Sequence, residues 1–135
     1  MIKNTTLFLA LLLSIASCQE DESDCGPTAC TFDFRSVSVR IVDRFGNPVD
    51  LDRTEVSDQL GTTLTSVSVS TFPQSNNGYY VIADDGHKNE LRFDLNLLLF
   101  KGWKDGKKVV QQEFAISRDC CHVGKLDGPD QIIID

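Results

Sequence analysis

Leu91-Arg92-Phe93-Asp94-Leu95-Asn96-Leu97-Leu98-Leu99-Phe100 carries an apolar side chain at every odd position from Leu91 to Leu99. A period of two marks a β-strand, whose successive side chains point to opposite faces. Leu98 and Phe100 add apolar side chains on the other parity. Downstream, Lys104-Asp105-Gly106-Lys107 is a hairpin signal, because Asp-Gly accepts the positive φ values of a tight turn. The chain then returns through Lys108–Ser117, with Val110, Phe114 and Ile116 on one inward parity. This antiparallel pair sets the character of the whole domain.

Similar signals lie on either side of it. In Arg35–Val42, Val37, Val39 and Ile41 alternate with Ser36, Ser38 and Arg40, which predicts a half-buried strand. Phe32 and Phe34 have the opposite parity, so a bulge near Arg35 or Ser36 is expected to bring both sets to the core. Gly46-Asn47-Pro48 reads as a turn, followed by Val49-Asp50-Leu51. Val67 and Val69 lie between serines in a second alternating run, Leu64–Phe72, and Gln74–Gly78 reads as a polar loop. Tyr79–Ala83 is a short strand ended by Asp84-Asp85-Gly86, and Gly128-Pro129 is a last turn before Ile132-Ile133-Ile134. No stretch has a helical period. Short strands at this spacing predict an all-β fold, a β-sandwich of about seven strands.

The first residues carry a different message. Lys3 precedes the apolar run Leu7–Leu13, and small residues lead through Ser14-Ile15-Ala16-Ser17 into Cys18. Positive, apolar and small-residue regions in that order form a secretory signal. A spanning helix needs about 20 apolar residues, and Ser14, Ser17 and the run Gln19-Glu20-Asp21-Glu22 interrupt this one. The expected organisation is a signal peptide over 1–17, an acidic tether over 18–29 and a β-sandwich domain over 30–135. Removing 1–17 takes away only Lys3 among charged residues, so the net charge goes from −7 to −8. That balance excludes a nucleic-acid partner, which needs a basic stripe. It also opposes attraction to anionic lipid headgroups.

Cys18 closing this run resembles the lipobox of bacterial lipoproteins. The resemblance implies that its thiol receives a diacylglycerol and that the chain is cut before it. Gln19-Glu20-Asp21-Glu22 is similar to the acidic export signal beside the lipidated cysteine of Bacteroidota lipoproteins. That likeness implies a lipid-anchored protein on the outer face of the outer membrane, with a periplasm-facing anchor as the alternative.

If Cys18 carries lipid, four of the five cysteines remain: Cys25, Cys30, Cys120 and Cys121. An even set in an exported chain reads as disulfides. Neighbouring Cα atoms sit about 3.8 Å apart, short of the roughly 4.4–6.8 Å that a disulfide prefers, so a Cys120–Cys121 bridge is disfavoured. Both remaining pairings tie the N-terminal end of the domain to a segment near its C-terminus. A zinc site or redox centre built from these cysteines and His122 is the competing reading. The spacing lacks paired knuckles and has no Cys-x-x-Cys.

Val37-Ser38-Val39-Arg40-Ile41-Val42-Asp43-Arg44-Phe45-Gly46-Asn47-Pro48-Val49 resembles the opening of carboxypeptidase-regulatory-like (transthyretin-like) domains, in which a first strand enters a D-x-x-G-x-P-V turn. Asp119-Cys120-Cys121-His122-Val123 with Gly128-Pro129-Asp130 and Ile132-Ile133 is similar to the tail of small Bacteroidota lipoproteins. These likenesses imply a single Ig-like or transthyretin-like sandwich that binds or supports rather than catalyses, with no cofactor.

Three function classes stand beside one another. A non-catalytic envelope module would bind a glycan or a protein through Trp103, Tyr79 and Tyr80, whose rings can stack on either. A thiol or metal protein would use the cysteine–His122 cluster. A small hydrolase or inhibitor would need a polar cleft or a rigid exposed loop. No Gly-x-Ser-x-Gly, His-Glu-x-x-His or phosphate loop occurs. His87 reads as a polar loop residue, and His122 as packing or bonding near the bridges. Asp84 and Asp85 lack the spaced ligands of a calcium loop. The expected reading is the envelope module, held to a membrane by its N-terminal lipid.

Overall fold

The computed structural model describes residues 25–64 and 77–135. Seven strands run through these residues: β1 Ser36–Asp43, β2 Arg53–Ser57, β3 Tyr79–Asp84, β4 Asn96–Lys104, β5 Lys107–Arg118, β6 Val123–Asp127 and β7 Gln131–Ile134. A single 3-10 turn, Asp85–His87, follows β3. The strands form two sheets, of order β3-β1-β7 and β2-β4-β5-β6. The domain is an all-β sandwich. β7 lies parallel to β1, and every other pair is antiparallel.

The β4–β5 hairpin turns at Asp105 (φ 50°) and Gly106 (φ 72°), both left-handed, as the Asp-Gly pair predicts. Val110, Phe114 and Ile116 face inward from β5, as read from the sequence. Opposite them, Leu98 and Phe100 fill the core, and Val37, Val39 and Ile41 of β1 close it from the facing sheet. Burying an aliphatic or aromatic side chain of this kind contributes about 1.5–3 kcal/mol.

The odd-parity leucines behave differently from the expectation of one long strand. Asp94 adopts φ 70°, and Asn96 caps the preceding turn by accepting from Arg92 N–H and donating to its carbonyl. β4 therefore starts only at Asn96. Leu91 reaches the core from the connecting loop, while Leu95 stays more than half exposed. Leu97 and Leu99 lie half-buried on the outer face.

The expected bulge also moves. The extra residue is Ile82 of β3, which falls between the Val37–Ala83 and Ser38–Val81 pairs, and the bulge lets both Ile82 and Ala83 reach the core. Phe32 and Phe34 do not join them, being 108% and 69% exposed. The arm that carries them leaves the sheet, because Arg35 N–H is taken by Asp85 and the residues before it are clamped elsewhere.

Asp43 organises the turn after β1. Its carboxylate accepts from Phe45 N–H, Asn47 N–H and the Asn47 amide, which holds its pKa below the ordinary carboxylate value, chiefly through the Asn47 side chain. Most of the alternating run at Leu64–Phe72 and of the loop at Gln74–Gly78 lies outside the described residues, as do the signal segment, Cys18 and the tether up to residue 24.

Candidate functional site: a double disulfide clasp

Cys25 bonds Cys120 and Cys30 bonds Cys121, with Cα separations of 5.4 and 5.2 Å. Of the two long-range pairings, the chain adopts the one in which order is preserved. With all four sulfurs paired, they offer no thiolate to a metal or a redox partner. Among the described residues no three His, Cys, Asp or Glu side chains gather in a group able to hold a metal ion.

The residues that follow the two halves of the second bridge meet each other. Cys30 precedes Thr31 and Cys121 precedes His122, so the bridge delivers Thr31 Oγ1 to 2.9 Å from His122 Nε2. The other ring nitrogen, Nδ1, lies 2.8 Å from Asp85 Oδ2. Asp85 is supplied by the 3-10 turn after β3 and also accepts from Arg35 N–H and Val123 N–H, at 2.8 and 2.9 Å. One buried carboxylate thus joins the arm, the 119–122 loop and the start of β6.

Burial alone would raise the pKa of Asp85. The Arg35 N–H, His122 and the Val123 N–H outweigh that and hold the carboxyl below its ordinary value. Asp119 is lowered by the N–H groups of His122 and Cys121. Asp33 falls to about 2, first through the Thr31 hydroxyl and then Arg35, and its carboxylate lies 4.0 Å from His122 Nε2. Lys88 Nζ donates to the Cys121 carbonyl and closes the loop from the far side. Three carboxylates and an imidazole, none adjacent in sequence, meet beside the two disulfides.

His87 is not an exposed loop residue. It is buried, and its Nδ1 lies against the backbone N–H and the carboxylate of Asp84, closing a capping box on the 3-10 turn. Asp84 also accepts from Gly86 N–H. Asp84 and Asp85 thus spend their oxygens on different partners and do not converge on a shared cation.

The aromatic candidates separate. Tyr80 is built into the fold: Leu51 N–H donates to its hydroxyl, which donates to the Val49 carbonyl, and its ring packs 6.2 Å from Phe100. Tyr79 is half exposed on the outer face of the other sheet, under the Arg40 guanidinium. Trp103 lies half-buried on the outer face of β4, opposite Arg53, whose guanidinium stacks on the indole at 3.7 Å. The rings of Tyr79 and Trp103 sit on different sheets, so the three aromatics do not form one platform. A cavity of about 190 Å³ opens between the turn after β2 and the chain before β4, lined by Leu60, Leu64, Leu91 and Leu95 with Asp58 and Arg92.

The His122–Asp85–Thr31 contacts are invisible to periodicity, because the three residues lie far apart in sequence. The usable signal was the cysteine arithmetic, since pairing Cys30 with Cys121 places the next residues side by side. Comparison of the chain with protein-family models, curated proteins and solved structures finds no match.

Proposed function

We propose that the chain is an acyl-anchored envelope lipoprotein whose β-sandwich serves as a non-catalytic binding or structural module on the outward side of the outer membrane. The two-sheet fold and the Asp43-x-x-Gly46-x-Pro48 turn support placing it among lipoproteins with a carboxypeptidase-regulatory-like domain. The observation that carries the reading is the double clasp. The segment that would lead from the lipid is locked to the domain by two disulfides and the Asp85–His122 contact. A pull transmitted along a tether would meet covalent bonds before it reached the sheet. Disulfides persist outside the reducing cytoplasm, which agrees with export. Envelope proteins or glycans are the partners this placement offers.

Intact-mass analysis and cell fractionation test the reading. The expected result is loss of residues 1–17, added acyl mass on Cys18, and protease sensitivity in whole cells. Cys18→Ala releases the protein from the membrane fraction. An uncut, unmodified amino terminus refutes it.

A second reading is favoured by one arrangement. Thr31 Oγ1, His122 Nε2 and Nδ1, and Asp85 Oδ2 stand in the order hydroxyl, imidazole, carboxylate, at hydrogen-bond distances. This is the order that activates a hydroxyl nucleophile in hydrolases. A fluorophosphonate probe decides: labelling of Thr31 that disappears in Thr31→Val supports hydrolysis, and an unlabelled folded protein refutes it.

A further inference from the structure

Strand register defines two ends of the sandwich. Ser36 opens β1 opposite Asp84, the last residue of β3. Asn96 opens β4 opposite Ile116, and Val123 opens β6 opposite Arg118, both near the end of β5. Ser57, the last residue of β2, pairs with Leu99 near the same end. Asp85 ties the two sheets together here through Arg35 and Val123. The N-terminal arm, both disulfides and the turn after β2 therefore share one end of the domain.

Exposed apolar side chains collect at this end. Phe32, Phe34, Leu60 and Leu95 all have more than half their surface open. Phe45 lies at the opposite end, beyond the last residue of β1, and the Trp103 side of the hairpin is there too. Scattered apolar side chains are ordinary on a protein surface, but a grouped set marks a contact.

The backbone that carries the two phenylalanines is also fastened on either side. Cys30 is bonded to Cys121, Thr31 to His122, and Arg35 N–H to Asp85. Thr31 and Asp33 point toward His122, so alternation sends Phe32 and Phe34 away from the body. A free loop could fold its rings back against the domain, whereas this one is fastened on both sides of them. Fastening the backbone that presents the rings lowers the ordering cost of a contact.

We infer that this end of the domain rests on the lipid bilayer, with Phe32 and Phe34 inserted at the headgroup–acyl boundary and Leu60 and Leu95 near the rim. The inference rests on the acyl anchor at Cys18. The first bridged position, Cys25, comes seven positions after Cys18, so the arm lies within roughly 25 Å of the headgroups even when the tether is fully extended. Insertion is then an intramolecular event at high effective concentration. Charge fixes the kind of contact. Asp33, Asp58, Asp84, Asp85, Glu90, Asp94 and Asp119 outnumber Arg35, Lys88, Arg92 and Arg118 here, and the tether adds Glu20, Asp21 and Glu22. Attraction to anionic headgroups is therefore absent, and the contact is apolar and independent of salt.

Trp103, the single tryptophan, stands at the far end and serves as a built-in control. The test uses the full acylated protein in phosphatidylcholine vesicles with brominated acyl chains. The native protein is compared with a double variant, Phe32→Trp with Trp103→Phe, whose one indole stands on the arm. Disulfides and acyl mass are checked by mass spectrometry. The expected result is that the arm indole loses most of its emission to bromolipid and is shielded from acrylamide, at low and high salt alike. Trp103 in the native protein is unaffected by bromolipid. Quenching of the arm indole that vanishes at high salt overturns the apolar mechanism. An arm indole open to acrylamide and untouched by bromolipid, on a chain with acyl mass, overturns the contact alone. Shielding from acrylamide without bromolipid quenching means that the arm is covered by its own domain or by a second copy, and also overturns it. A chain lacking acyl mass refutes the anchor instead.

Discussion

Removing the disulfides one at a time should give unequal and order-dependent costs. The bridges close loops of 95 and 91 residues when each is counted alone. In the chain-entropy relation, each such loop is worth about 4.6 kcal/mol at 25 °C. The two loops interleave, however, and share almost all of their length. With one bridge in place, the other closes only the five residues from Cys25 to Cys30 and the single step from Cys120 to Cys121. A loop of about six residues is worth roughly 2 kcal/mol in the same relation. Replacing either pair by serine should therefore cost about 2 kcal/mol, and the second removal about 4.6. The total falls within the roughly 5–15 kcal/mol net stability of a typical domain. Urea unfolding of the two double variants and the quadruple variant measures this. With a slope of about 1–3 kcal/mol per molar, the first step moves the midpoint by about 1 M and the second by more than twice that. Equal, additive steps would refute the shared-loop reasoning, and so would a quadruple variant as stable as the parent.

Three more outcomes follow from the packing. Gly128→Ala should destabilise by at least about 2 kcal/mol. Its Cβ would collide with the Phe114 ring in the fully buried core, at a φ of 123°, and thermal unfolding measures the loss. Tyr80→Phe removes a hydroxyl that accepts from Leu51 and donates to Val49, at a cost of about 1–3 kcal/mol read from the urea midpoint. Asp85 and Asp119 have pKa values below the unfolded value, so their stabilisation is complete above about pH 5 and is lost as pH falls below about 4 through the folded values. Midpoints across that range should fall on acidification, and Asp85→Asn should flatten the fall.

The central hairpin was legible because Asp105-Gly106 fixes its turn and the inward set of β5 has only one apolar parity. The partner strand was ambiguous, since leucines occupy both parities between Leu95 and Leu99. What chose the inward set was pairing: Leu98 and Phe100 register with Phe114 and Gln112, and Gly102 registers with Val110. β2 and β6 were missed because they are short edge strands, with polar outer positions and few buried side chains. The arm misled for a different reason. Phe32 and Phe34 alternate like a strand, but covalent and hydrogen-bond fastening through Cys30, Thr31 and Arg35 overrode their drive toward the interior. The clasp itself was half legible: pairing across the domain followed from cysteine count, while Asp85 as its third member required the fold.

β1 is flanked by β3 and by β7, so the earliest strand of its sheet borders the latest. That layer lacks one neighbour until residues 131–134 have arrived, and both cystines likewise wait for residues 120 and 121. On a chain exported as proposed, the β1–β7 pairing and both cystines would close only after nearly the whole length had crossed. The order in which the strands are written defers the final closure of the sandwich, and not its individual hairpins, to the last residues.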